Sequence, residues 1–291
     1  MDTNEWLAER FEEHRPRLRA VAYRMLGSYA EAEDAVQDTW LRLSRSGSDV
    51  ENLGAWLTTV TARICLNALR SRDRRREEPY DAHVPDPYVS DGLGPDDEAV
   101  LADSVGLALL VVLDTLAPAE RLAFVLHDMF DVPYDEIAAM VDRSPDAARQ
   151  LASRARRRVR GAGVAAPDPD LSRQREVVDA FLAAARDGDF ETLVSVLDPD
   201  VTLRIDAGLG RRASMTIHGA AAVAEQTRSG ATGLARFVVR PAIVSGTPGF
   251  VATRKGRRVA VVGFTVADGK IVEIDTILDP VRLDKIAEVI G

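Results

Sequence analysis

Between Ser144 and Arg160 the chain spaces Asp146, Arg149, Gln150, Ser153 and Arg157 so that a helix would turn them all to one side. Arginine, glutamine and serine are side chains that hydrogen-bond base edges and phosphates, so the chemistry on offer is recognition of nucleic acid. Ala148, Ala152, Ala155 and Val159 recur on the opposite side, where small apolar residues suit packing. A second set, Arg63, Asn67, Arg70 and Arg74, stands at i, i+4, i+7 and i+11 of a helix predicted from Gly54 to Arg75. Leu57, Val60, Thr61, Ile64 and Ala68 are expected to form that helix's inner stripe.

Those two faces need scaffolds. Upstream of the first, an amphipathic helix is predicted over Ala119 to Phe130, broken at Val132-Pro133 and resumed from Tyr134 to Met140. Asp142-Arg143-Ser144-Pro145 then supplies a cap with proline at the first helical position. The outcome is a helix-turn-helix whose second member can enter a major groove. A further helix over residues 30–44 packs Ala32, Ala35, Val36, Thr39, Trp40 and Leu43 inward and turns Asp34, Gln37, Asp38, Leu41 and Arg42 outward. A leucine among acids and amides on an outward face suits a protein contact, and a solvated helix with one stray leucine fits the same spacing.

Net charge is −9, which opposes the binding of a polyanion by the chain as a whole. Its distribution matters more. Basic residues gather at Arg70 to Arg76 and Arg154 to Arg160, whereas Glu77 to Asp103 holds nine acidic residues and no lysine or arginine. Unaided DNA binding should therefore be weak. The single cysteine, Cys65, excludes a disulfide framework and a cysteine metal cluster, and neither metal nor cofactor is expected. No apolar run reaches bilayer length and the first residues are acidic, so a cytoplasmic protein is expected.

Composition divides the chain into helical residues 1–76, a linker over 77–103 rich in Pro, Gly and Asp, helical residues 104–163, and a different stretch over 171–291. This last part reads as helices followed by strands at Val201–Ile205, Arg236–Val244, Phe250–Arg254, Arg257–Val266 and Lys270–Leu278, with a hairpin turn at Ala267-Asp268-Gly269 and a closing helix at Val281–Ile290. An α+β domain is predicted, with a curved antiparallel sheet and helices on one side.

The segments Asp34-Ala-Val-Gln-Asp38-Thr-Trp40 and Ala55-Trp56-Leu57-Thr-Thr-Val60, leading through Arg63 and Asn67 to Arg74-Arg75, resemble region 2 of bacterial sigma factors of the extracytoplasmic-function type. Leu116-Ala-Pro118-Ala-Glu120-Arg121, the helix-turn-helix and Arg154-Ala155-Arg156 resemble region 4 of that family. The resemblance implies two all-α domains and a set of roles. Asp34, Gln37, Asp38, Leu41 and Arg42 would bind core RNA polymerase at the clamp of its β′ subunit, region 4 would meet the β flap, and promoter DNA would be the second partner. The loop around residues 47–53, including Asn52, would hold a flipped base of the −10 element, while Arg63, Asn67, Arg70 and Arg74 lie along it. Arg149, Gln150, Ser153, Arg154 and Arg157 would read the −35 element.

Beyond residue 170, Asp189-Phe-Glu-Thr-Leu193, Leu197-Asp-Pro-Asp200-Val201, His218-Gly219-Ala220 and Gly269-Lys-Ile-Val-Glu-Ile274 resemble a SnoaL-like module, a cone related to the nuclear-transport-factor-2 fold. Sigma factors with this fusion form a group in which the extra domain regulates in cis, so no separate anti-sigma factor would be required. The group's motifs survive partly, as Pro85-Asp86-Pro87 in the linker, Asp206 with Gly208 and Gly210, and Asp279-Pro280 with Leu283. These residues are the expected contacts between the linker or sigma domains and the added domain. Two alternatives stand beside this reading. One is an independent helix-turn-helix regulator; the other is an enzyme in which Asp206 and His218 do acid-base work in a pocket.

Overall fold

In a computed structural model of the chain, the described residues are 3–46, 52–73, 83–90, 106–163, 167–208, 214–234 and 237–287. They divide into two compact units, Met1–Glu78 with Val112–Gly163, and Pro79–Val111 with Val164–Gly291.

The first unit is helical: α1 (Thr3–Leu26), α2 (Tyr29–Ser46), α3 (Leu53–Asp73), the end of α4 (Leu107–Asp114), α5 (Pro118–Phe124), a π-helical turn (Val125–Met129), α6 (Tyr134–Val141) and α7 (Pro145–Gly161). Leu7, Phe11, Leu18, Val36, Leu43 and Leu57 from α1, α2 and α3 close one core, with the Phe11 and Trp40 rings 5.2 Å apart. Thr39 and Thr61 are buried between α2 and α3, and their hydroxyls lie 2.9 Å apart, so neither polar group is stranded.

Two expectations for this unit change. The buried line of α3 is Leu57, Thr58, Thr61, Ala62, Cys65, Leu66 and Leu69, leaving Val60, Ile64 and Ala68 half-buried. The buried face turns because α3 packs against α5 and α6 as well as α1 and α2. The helix expected over 119–130 is an α-helix only to Phe124 and continues as the π turn, which takes one more residue per hydrogen-bonded ring.

The second unit holds a seven-stranded sheet in the order β1-β4-β5-β6-β7-β2-β3. Its strands are β1 (Val89–Ser90), β2 (Leu197–Asp206), β3 (Met215–His218), β4 (Val238–Val244), β5 (Thr247–Arg254), β6 (Arg257–Ala267) and β7 (Lys270–Ile277). Helices α8 (Leu171–Asp187), α9 (Phe190–Val196) and α10 (Ala220–Leu234) accompany them, and α11 (Pro280–Ala287) ends the fold. Phe181, Leu193, Leu203, Phe250, Phe264 and Ile274 are among the residues filling the core between α8, α9, α10 and the sheet.

The sheet is mixed rather than antiparallel, because β2 pairs with β7 in parallel. Arg204 fastens that pair, donating to Glu273 and Asp275 at 2.9 Å each. Burial pushes the Asp275 carboxyl up to about 6 even with the guanidinium beside it. Helices also lie on both faces, since α11 packs on β6, and Gly263, which points away from the core, has Leu107 of α4 over it. β1 and β3 were not expected, and β5 begins at Thr247, before the expected Phe250.

Three two-residue turns join the last four strands. Ser245-Gly246, Lys255-Gly256 and Asp268-Gly269 each have both φ angles positive, the backbone that matches strand twist. Asp168 caps the last of these turns, accepting from the amides of Asp268 at 2.9 Å and Gly269 at 3.0 Å.

β1 adds to the edge of β4, with Ser245 N–H donating to the Tyr88 carbonyl at 2.7 Å. Continuing that register, the next outward amide but one on β4 belongs to position 241, which is proline and has no N–H. Gly249 is required by close approach: a Cβ there would collide with the Val262 carbonyl oxygen and the Val244 side chain. Gly249→Ala in the full chain should cost about 1 to 3 kcal/mol by overpacking, read as a lower urea midpoint at unchanged slope.

Candidate nucleic-acid interface

α7 is built from its cap inward. Asp142 ends α6 in the left-handed conformation that aspartate tolerates, and the Ser144 hydroxyl accepts from the Ala147 amide at 3.2 Å. Pro145 occupies the first turn, and Ala148, Ala152 and Ala155 are buried. Arg149, Gln150, Ser153, Arg154 and Arg157 are exposed, while Val159 is half-buried.

The arginines of α7 do different work. Glu120, buried on α5, accepts from Arg154 Nε at 2.8 Å and Arg158 Nη1 at 3.1 Å. Arg156 donates to Asp128 at 2.6 Å and to the Tyr134 hydroxyl. These three hold the helix on its scaffold, so Arg154, assigned above to DNA, is already engaged while its side chain remains 46% exposed. Arg149 pairs with the exposed Asp146 at 2.7 Å. Gln150, Ser153 and Arg157 stand outward beside it.

On α3, Asn52 caps the helix through its Oδ1, which accepts from Ala55 N–H at 3.1 Å, and Asn67 is exposed. Arg70 is half-buried. Arg63 is exposed, and its guanidinium donates to the Ala139 carbonyl of α6 at 2.9 Å, a contact its assignment to DNA did not include. Arg74 and loop residues 47–51 lie outside the described residues. On α2, Asp34, Gln37, Asp38 and Arg42 are exposed with Leu41, which is 43% exposed.

Sequence reading gave Glu120 and Arg121 no role. Arg121 is 1% exposed, donates from Nε to the Arg24 carbonyl at 2.9 Å and from Nη1 to Asp114 at 3.1 Å, and thereby joins α1, α4 and α5. Burial lowers its guanidinium to about 10 against the pull of Asp114. A charged pair adjoining the apolar Leu122 and Phe124 was the available signal, since an arginine there needs internal partners.

In the second unit the residues assigned to interdomain contact converge. Asp206 is buried; its carboxylate accepts from Val84 N–H at 3.0 Å and Gly208 N–H at 3.0 Å, and it pairs with Arg282 at 2.5 Å. His83 Nδ1 lies 3.3 Å from the same carboxylate. Arg282 also donates to Asp86 at 2.6 Å and to the Val84 carbonyl. Pro85, Pro87 and Leu283 are buried, and Asp279 caps α11 by accepting from Val281 N–H at 3.0 Å, ahead of exposed Pro280. Gly208 has φ +96° and sits against Asp279, so a side chain there would meet both strain and a clash. Leu209 and Gly210 lie outside the described residues.

The acid-base pair does not form. His218 is exposed and shares a 3.1 Å hydrogen bond with Thr202, four residues from Asp206 along β2, or about 13 Å.

Replacing Glu120 by alanine should destabilise the first unit by about 1 to 3 kcal/mol, since two guanidiniums lose a buried acceptor. Arg157→Ala should leave the denaturation midpoint unchanged and weaken DNA binding, a contrast that urea titration and a DNA-binding isotherm read separately.

Sigma-70 region 2 matches residues 10–75 and Sigma-70 region 4 matches residues 106–159. The chain is 37% identical over 283 residues, 96% of its length and 95% of the relative's, to a probable ECF RNA polymerase sigma factor, SigI, of Mycobacterium tuberculosis strain CDC 1551 / Oshkosh. It is 44% identical over 200 residues, 68% of its length and 64% of the relative's, to the ECF RNA polymerase sigma factor SigJ of M. tuberculosis strain H37Rv. The crystal structure of M. tuberculosis SigJ superposes with a TM-score of 0.76 at 34% identity, covering 95% of this chain and 98% of that one. Among the described residues no helix is long and apolar enough to cross a membrane. With both sigma regions in order and near full-length similarity, the chain belongs to the extracytoplasmic-function RNA polymerase sigma factors.

Proposed function

We propose that this sigma factor reads a −10 element along α3 and a −35 element with α7, and that its carboxyl-terminal unit modulates it in cis by holding the linker. The observation that carries the cis reading is the clasp on residues 83–90: one buried carboxylate, Asp206, and one arginine, Arg282, together engage the Val84 amide and carbonyl and Asp86. A tether meant only to span would have no need of a two-strand ladder and a buried ion pair.

On the reading side, α7 offers Arg149, Gln150, Ser153 and Arg157 in successive turns, and α3 offers Asn67 with Arg70. Each good base contact discriminates by about 1 to 3 kcal/mol. Asp34, Gln37, Asp38, Leu41 and Arg42 form the face offered to the polymerase clamp, with the helix's other side buried in the α1–α3 core. Core polymerase supplies the affinity that a chain of net charge −9 lacks on DNA. Regulation in this form is built into the chain, so a cytoplasmic sigma factor of this kind would be modulated without a separate anti-sigma factor.

Two variants test the parts. Gln37→Ala with Asp38→Ala should weaken binding to core RNA polymerase at least tenfold, and unchanged binding would remove the clamp assignment. Arg282→Ala should keep polymerase binding and change promoter-dependent transcription by the purified holoenzyme. Transcription identical to wild type, with linker residues 83–90 shown to be released by faster amide exchange, would refute modulation in cis.

A further inference from the structure

The π turn, the first residue of α6 and two arginines of α7 meet at one aromatic ring. The His127 imidazole lies against the Tyr134 ring, centroids 3.8 Å apart at 30°, and its Nδ1 is 3.0 Å from the Val132 carbonyl oxygen. Asp128, the next residue of the π turn, accepts from Arg156, which also donates to the Tyr134 hydroxyl. The Arg149 guanidinium stands 5.3 Å from the centre of the same ring. Arg149 and Arg156 are seven residues apart, two turns along one side of α7.

We infer that Tyr134 is a positioning residue for Arg149, setting the direction in which that guanidinium meets a base, and that the π turn exists to hold Tyr134. The inference rests on the promoter-reading role proposed above. Arg149 is an exposed side chain with several free torsions, and its partner Asp146 is itself 84% exposed, a pairing that water and salt weaken. An aromatic face restrains a planar guanidinium more firmly, because it attracts the cation and fixes its plane. The ring is fixed in turn: imidazole against it, hydroxyl held by Arg156, and Arg156 held by Asp128. A guanidinium restrained before binding loses less freedom on contact, which favours the two-pronged pairing with a guanine edge.

Regular helix through Met129 would rotate His127 and Asp128 about the helix axis relative to their observed directions. From the π turn, His127 reaches Tyr134 of α6 and Asp128 reaches Arg156 of α7.

The test uses the full chain bound to core RNA polymerase and a pool of duplex DNA with a randomised segment. Wild type defines the preferred sequence, and Arg149→Ala identifies the base pairs that Arg149 reads. Tyr134→Leu should lose preference at those same base pairs, with about tenfold weaker binding of the preferred duplex. Its affinity for unrelated duplex and its salt dependence should stay at wild-type values. Tyr134→Phe keeps the ring and should keep the preference. The Tyr134→Leu, Arg149→Ala double variant should be no weaker than Arg149→Ala alone.

Uniform weakening on all duplexes, multiplicative losses in the double variant, or lost preference in a folded Tyr134→Phe protein would each overturn the inference. Absence of any preferred duplex for wild-type holoenzyme would instead bring down the promoter-reading role itself.

Discussion

The first unit depends on a guanidinium with no access to water. Arg121 joins the carbonyl end of α1 to Asp114 at the end of α4, while its own helix, α5, carries Glu120 facing α7. An arginine buried this far raises the cost of any arrangement that leaves it unpartnered, because desolvation is repaid only by charge and hydrogen bonds in good geometry. Burial lowers its affinity for the proton to about 10, and it is still charged at neutral pH. Adjacent residues 120 and 121 thus divide two tasks. Arg121 fixes α5 against α1 and α4, and Glu120 clamps α7.

The second unit uses the same device with the charges reversed. Here the carboxylate of Asp206 is buried, and amides of Val84 and Gly208 join Arg282 in satisfying it. Two of these partners are local to the folded domain, while the third comes from the linker. Removal of the linker strand would leave a buried acceptor with one fewer donor, so the domain itself favours the docked state. Pro241 offers no amide on the edge of β4 that β1 joins, so the strand's backbone supplies fewer donors there than an ordinary edge would.

Helices and their outward faces were legible because apolar spacing is a strong local signal: α2 buries Ala32, Ala35, Val36, Thr39 and Leu43 as its pattern requires. The face of α3 was read less well, since Ala62, Cys65 and Leu66 are buried by helices distant in sequence that no periodicity encodes. The Asp268-Gly269 turn is legible in the sequence, whereas Ser245-Gly246 is less so, and β5 starts at Thr247, ahead of its expected start at Phe250. β1 and β3 are too short, at two and four residues, to show alternation. The parallel β2–β7 pair is a matter of topology and has no sequence mark beyond the charges of Arg204, Glu273 and Asp275, whose proximity only the fold creates.

Arginine identity on α7 illustrates the limit of reading charge from sequence. Arg149, Arg154, Arg156, Arg157 and Arg158 look equivalent as a basic run, and a count of them predicts a strongly cationic face. Internal acids select among them by position: Glu120 takes 154 and 158, Asp128 takes 156. Arg149, Arg157 and Arg160 are not taken by those buried or half-buried acids, and all three are exposed, Arg149 beside Asp146. Asp128 offsets Arg156 and Glu120 offsets one of its two arginines, so the helix presents less positive charge than its sequence implies. A smaller net charge on the helix lowers its nonspecific attraction to a polyanion. A sigma factor of net charge −9 is suited to that balance, because polymerase, not the free chain, must supply the bulk of the affinity.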